Sequence, residues 1–338
     1  MKIKEKILEL AQKEKVLKTR QMAAKFGVSR QLVSRALSEM VAERKIIKIG
    51  STKSAFYTLP ENQLLVGEGF HLSVKNEGLA EHEILERVMD SMPLLRVGKE
   101  NLLSIFRYAF SEMLNNAIDH SKSKSIDLRV TKTGTDIVFV IEDNGVGVFR
   151  DIMNGLRLKN EQEAIGELMK GKTTTKPRAH SGEGIFFTSK IADMFMLESY
   201  GWKLTVDNEI PDTFVEEVRP PKKGTRVTFV IAQNTPKHLG KLFEKYQSDE
   251  EFAFDRTDIL VKLFALGTIY VSRSQAKRLL ARLDKFKKIT LDYDGVPAIG
   301  QAFADEIYRV FANEHPDIKI ETVNANDAVR FMIGRVGK

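Results

Sequence analysis

The chain has 338 residues, no cysteine, and 53 Lys and Arg against 46 Asp and Glu, a formal net charge of +7. One hydrophobic core rarely fills that length, so two or three domains are expected. The absence of cysteine excludes disulfides, thiolate metal sites and cysteine nucleophiles, and 42% hydrophobic with 29% charged residues excludes wholesale disorder. Residues 1–10 are charged and helical in pattern, unlike a secretory leader. The longest apolar runs, such as 137–141, fall far short of the roughly 20 residues of a membrane span. A cytoplasmic protein without a membrane segment is expected.

The charge is not spread evenly. Residues 1–63 hold ten Lys and four Arg against six Glu and no Asp, a local +8, while the remaining 275 residues carry 39 basic and 40 acidic groups, or −1. A small basic unit on a near-neutral body suits a polyanion. In chain order, Ile3, Ile7, Leu8, Leu10 and Ala11 form one helical stripe. A second helix is expected over 19–25 with Thr19 as its N-cap, broken at Gly27. Ser29 then caps a third helix. Its inward face reads Leu32, Val33, Ala36, Leu37, Met40 and Val41, and its opposite face Arg30, Gln31, Ser34, Arg35 and Ser38. Two helices joined by a tight turn, the second carrying Arg, Gln and Ser, suit the major groove of DNA. Arg pairs with guanine and Gln with adenine, and Ser holds phosphate. Residues 46–49 and 55–59 flank a hairpin with a basic tip at Lys53. This unit resembles the winged helix-turn-helix domains of bacterial transcription regulators. The resemblance implies double-stranded DNA as partner, with Ser29, Arg30, Gln31, Ser34, Arg35 and Lys53 as contacts.

After breaks at Pro60 and 67–69, one helix is expected around 84–89 and a long one from about Lys99. The long helix contains EMLNNAIDH at 112–120. Glu112, Asn116 and His120 are four apart and share a face, so a carboxylate and a carboxamide can act together on Mg²⁺ and a water. Residues 126–130 and 136–141 alternate like two antiparallel strands. The second runs into DNGVG at 143–147, where a carboxylate at a strand end beside glycines can accept a hydrogen bond from a base amino group. GKTTT at 171–175 precedes SGEGI at 181–185, which opens a helix whose free amides suit phosphate. A strand over 224–230 closes the series.

That order of motifs resembles the GHKL ATPases, which include gyrase, the heat-shock chaperone ATPases and the histidine kinases; the His ending the first motif resembles the anti-sigma-factor kinase branch. The resemblance covers about 75–235 and implies ATP and Mg²⁺ as cofactors. It implies that Asn116 coordinates Mg²⁺, that Glu112 orients or deprotonates the attacking water or hydroxyl, and that Asp143 reads the adenine amino group with Gly145 and Gly147 in support. Ser181, Gly182, Glu183, Gly184 and Ile185 would border the phosphates, Thr225 would meet the base-side water, and 149–181 would form a lid. Lys172, His120 and His180 are further candidates around the nucleotide. His82 lies too close to Asn116 for a phospho-acceptor hairpin.

Beyond a polar stretch at 236–251, strand and helix alternate. Ser272 caps a helix with Ala276, Leu279, Leu280 and Leu283; strands follow at 289–293 and 318–320, separated by a helix with Ala302, Phe303, Ile307, Val310 and Phe311. Asn326 or Asp327 caps the last helix. The segment resembles the STAS-like domain of unknown function found fused to GHKL ATPases. STAS antagonists of anti-sigma factors are phosphorylated on a Ser near the position of 300–302 here, where this chain has no hydroxyl. That domain is expected to dock on the ATPase unit or on a protein partner.

The expected fold is therefore α/β and multidomain: a winged helix at 1–63, a GHKL (Bergerat) sandwich with a mixed sheet at 75–235, and a small STAS-like α/β domain at 250–338. Three functions fit. One is an ATP-responsive DNA-binding regulator. Another is a Ser/Thr protein kinase of the anti-sigma type acting on a separate partner. The third is an ATPase clamp forming a homodimer on DNA.

Overall fold

The computed structural model describes residues 3–14, 17–43, 45–49, 56–60, 69–92, 95, 98–133, 135–173, 182–247, 253–264 and 270–336. Among these residues, three hydrophobic cores form in chain order.

The first core lies among α1 (Ile3–Lys13), α2 (Thr19–Phe26), α3 (Arg30–Ala42) and the antiparallel pair β1 (Ile47–Ile49) and β2 (Phe56–Thr58). Val33, Ala36, Leu37 and Met40 are buried in it, and Ser29 caps α3 by accepting from the Leu32 amide at 3.2 Å. Two expectations need correction. Lys18, not Thr19, is the N-cap of α2, and Thr19 is its first helical residue. Leu32 is 46% exposed; one residue is about 100° of helix, which turns it off the Val33 stripe. Gly27 ends α2 in the left-handed conformation, as the turn requires.

The second core lies under a seven-stranded sheet. Its strands are β3 (Gly69–Lys75), β4 (Ser125–Thr133), β5 (Asp136–Asp143), β6 (Met194–Ser199), β7 (Trp202–Asp207), β8 (Asp212–Glu217) and β9 (Thr225–Ala232), ordered β3-β4-β5-β9-β6-β7-β8. Every pairing is antiparallel, so the expected mixture of directions is absent from this sheet. The 224–230 stretch does not close the sheet. As β9 it sits in the middle, between β5 and β6. Residues 137–141 of β5 are all buried instead of alternating, whereas β9 beside it alternates. Phe139 stacks on Phe229 of β9 with ring centroids 4.7 Å apart and meets Phe106 and Phe110 edge-on.

Those two phenylalanines belong to α5 (Glu100–His120), which follows α4 (Glu81–Ser91). The helix buries Leu102, Ile105, Phe106, Ala109, Phe110, Met113, Leu114 and Ala117, the three-and-four spacing of one helical face. Between β5 and β6 lie α6 (Val148–Leu156), α7 (Glu161–Lys170) and α8 (Gly184–Ile191).

After α9 (Leu239–Tyr246), the third core forms on a parallel sheet ordered β10-β11-β12, with β10 (Arg256–Leu260), β11 (Lys288–Asp292) and β12 (Lys319–Val323). Its helices are α10 (Arg273–Leu280), α11 and α12 (Asp327–Val336). Ser272 and Gln275 form a capping box on α10, and Asn326 accepts from the Val329 amide at 2.9 Å to cap α12. α11 runs through Gln301–Asp305, a π-helical stretch Glu306–Phe311 and Ala312–Glu314. This core is not confined to its own sheet. Phe186 and Phe187 of α8 and Tyr246 of α9 lie in it, around Phe254. The third unit therefore docks on the second. Among the described residues, no helix is long and apolar enough to cross a membrane.

Candidate functional site

A cleft opens between α5 and the sheet. The helix contributes Glu112, Asn116 and His120 from one face, as a spacing of four dictates. The sheet contributes Asp143 at the end of β5 and Thr225 at the start of β9, with Gly147 where α6 begins. Thr173, Gly182, Gly184 and Ile185 make the third wall. Ile141, Leu197 and Val227 give an apolar floor.

Asp143 is 4% exposed, and burial is the main influence on its carboxyl, pushing the pKa up. Hydrogen bonds from the Gly145 amide, at 2.7 Å, and from Thr225 oppose that rise. The Thr225 hydroxyl in turn accepts from the Val148 amide at 3.0 Å. Lys222 donates to the Asp143 carbonyl at 2.7 Å and to Asn144 Oδ1 at 3.1 Å. A rigidly held acceptor at the bottom of an apolar slot can take an exocyclic amino group.

At the other end, Gly184 opens α8 hard against the long helix. A Cβ there would lie 2.1 Å from Glu112 Oε2, so a side chain at this position would displace the Glu112 carboxylate. The Glu112 pKa is raised, first by burial and then by the charges of Glu183 and Glu81. A carboxylate so placed holds a proton more readily than usual, which suits a general base. His120 Nδ1 lies 3.7 Å from Asp151 Oδ2 across the cleft.

The structure thus brings Glu112, Asn116, His120, Asp143, Gly147, Gly182, Gly184, Ile185 and Thr225 to one cavity. Gly145 stands behind Asp143, and Glu183 acts on Glu112 through its charge. Lys172 is placed elsewhere: its amine reaches the Lys285 carbonyl at 3.3 Å and lies over the Phe254 and Phe286 rings. Burial lowers its pKa, and the charges of Glu183 and Asp255 oppose that fall. Ser181, His180 and Lys53 fall outside the described residues. Sequence reasoning missed Thr173 and Asp151. Thr173 stood in the GKTTT run without a role, and nothing local marks Asp151, which meets His120 only through folding. Among the described residues, no set of three or more His, Asp or Glu could hold a metal ion on its own.

Residues 103–235 match the family model described as histidine kinase-, DNA gyrase B- and HSP90-like ATPase. Residues 275–330 match the STAS-like domain of unknown function. No curated protein matches the chain. The motifs on the cleft lie within the first match. The chain therefore carries an ATP-binding domain of the GHKL type, joined to a STAS-like domain.

Proposed function

We propose that the chain is an ATP-hydrolysing, DNA-binding regulator of three units, at about 1–63, 75–235 and 250–338. In this reading Mg·ATP in the cleft alters binding of DNA or of a partner. The observation that carries it is the meeting of Glu112, Asn116, Asp143 and Gly184 on one cleft in a chain whose α3 exposes Arg30, Gln31, Ser34, Arg35 and Ser38. The N-terminal unit has the helix order and paired strands expected of a winged helix, and its +8 charge suits phosphates.

The donors fit Mg²⁺. The phosphate end is acidic, with Glu112 and Glu183 close enough to raise the Glu112 pKa, so an incoming triphosphate needs a cation there. Asn116 presents a hard oxygen one turn away and would hold the ion together with phosphate oxygens and waters. Mg²⁺, when bound, neutralises phosphate charge. Asp143 would orient the adenine, and Glu112 would orient a water and take its proton. Coupling to DNA requires ATP to favour one arrangement of the units.

The raised Glu112 pKa also favours a second reading, in which the proton comes from a Ser or Thr hydroxyl of a separate protein. Transfer of labelled phosphate to that protein distinguishes it from hydrolysis.

The test is a DNA titration of the full chain with and without Mg·ATP. Salt-dependent binding that shifts with nucleotide is expected. Asn116→Ala should abolish the shift and leave nucleotide-free DNA binding intact. Unchanged nucleotide affinity in Asn116→Ala would sink the site assignment, and a lack of salt-dependent binding would remove DNA as partner.

A further inference from the structure

The unit of unknown function grips one wall of the cleft. Thr173 and Gly182 border the cavity, and the Thr173 amide donates to the Gly182 carbonyl at 3.1 Å. Thr173 is tied by its hydroxyl to the Glu167 carbonyl of α7 at 2.7 Å. Just before it, Gly171 and Lys172 both take left-handed backbone, at φ 79° and 52°. A Cβ on Gly171 would lie 2.6 Å from the Phe254 ring, so the chain is pressed against the C-terminal unit here. Lys172 has no glycine's freedom, so something must hold it in that region.

What holds it comes from the loop between α10 and β11. Lys285 Nζ donates to the Lys172 carbonyl at 2.6 Å, and Lys172 Nζ donates back to the Lys285 carbonyl at 3.3 Å. Arg282 Nη1 lies 3.3 Å from Glu167 Oε2, and Arg282 Nη2 donates to the Leu156 carbonyl of α6 at 3.2 Å. Lys170, 1% exposed, donates to the Arg278 and Ala281 carbonyls at 3.1 and 2.8 Å. The contacts run without a gap from Lys285 through Lys172 and Thr173 to Gly182, next to the Gly184–Glu112 contact.

We propose that Lys285 and Arg282 are positioning residues for the nucleotide site: from the STAS-like unit they hold Thr173, and through the Thr173 amide Gly182, where these two residues border the cleft. The proposal rests on the nucleotide reading of the cleft. It gives the C-terminal unit a task in ATP binding, and it makes the phosphate end of the site a joint product of two units. Lys285 is also suited to a pH readout. Burial lowers its pKa to about 8, with Lys170, Lys172 and Arg282 adding to the fall and Glu167 opposing it. A bond from an ammonium is stronger than one from a neutral amine. The grip therefore weakens as pH rises through that value.

The test compares the full-length chain with Lys285→Met, which keeps the apolar stem, and Lys285→Arg, which keeps a charged donor. Lys285→Met should weaken Mg·ATP binding about tenfold, the worth of one hydrogen bond to a charged group. It should also speed hydrogen exchange at the Thr173 amide without nucleotide. Lys285→Arg should restore both. Wild-type affinity should fall between pH 7.5 and 9, while Lys285→Arg stays flat; this decides the matter if Lys285→Met does not fold. Unchanged affinity and unchanged Thr173 exchange in Lys285→Met, or the same pH profile in wild type and Lys285→Arg, would overturn the proposal. Wild-type chain that binds no Mg·ATP would instead overturn the nucleotide reading, and the proposal with it.

Discussion

Ionised Glu112 carries a cost to the fold. Its pKa is raised by burial and by Glu183 and Glu81, so the folded chain binds its proton more tightly than the unfolded chain does. The sign follows from linkage: ionised Glu112 destabilises the fold above its folded pKa, and the penalty is relieved as pH falls through it. Glu112→Gln should therefore raise the melting temperature of the nucleotide-free protein at pH 7.5. The gain should shrink as pH is lowered through the elevated carboxyl titration. A variant that melts lower than wild type at pH 7.5 would contradict this electrostatic account. The pairing of Glu112 with Asn116 was legible in the sequence because both sit on one helix at a fixed spacing. The approach of Glu183 was not, since it comes from a segment 71 positions later that only folding brings near.

At the scale of elements, α3 is the exposed face that a polyanion would meet. Arg30 and Arg35 are exposed, and Arg35 Nε lies 3.3 Å from Glu39 Oε1 one turn along. Lys4 of α1 also reaches Glu39 at 3.0 Å, so Arg35 shares its carboxylate and can turn to phosphate without stranding a charge. Replacing Arg30 and Arg35 together by Ala should lower the salt slope of DNA binding by about two. The fold should survive, because the α3 core side chains lie on the other face. Unchanged DNA affinity and slope would make α3 a protein-contact surface instead. Most helices, the caps at Ser29 and Ser272, and the two strands leading into DNGVG were readable from periodicity and cap chemistry, whereas α6 and α7 were expected only as a lid. The place of β9 in the sheet was not readable, because strand order is set by long-range pairing. β3, β6, β7, β8 and β10 escaped the sequence reading altogether.

At the scale of the molecule, the described residues form three cores, two of which interlock. Phe186 and Phe187 of the Gly184 helix are buried in the C-terminal core, and the pair Lys170–Glu167, 2.5 Å apart, is closed off from water beneath the same unit. The second and third units should therefore unfold together. In urea, the fluorescence of the single tryptophan, Trp202 on β7, should lose its native signal at the same midpoint as hydrogen-exchange protection on β11. Mg·ATP at about 100 times its Kd should raise both midpoints by about 2.7 kcal/mol of stability. Loss of β11 protection while Trp202 remains native would mean that the C-terminal unit is merely tethered.

The sequence by itself determined the local chemistry: a basic N-terminal unit, a helix presenting Glu112 and Asn116, a strand ending in Asp143, and a glycine opening a helix. Each follows from charge counts, periodicity or spacing within a few turns, which are properties of short segments. The tertiary structure alone decided which segments meet. It turned Lys172 from the cleft to the Phe254 surface, placed Thr173 and Asp151 on the cavity, and set Lys285 against the wall that borders it. Those outcomes depend on packing between segments far apart along the chain, 113 positions in the case of Lys172 and Lys285, where no local pattern carries the information.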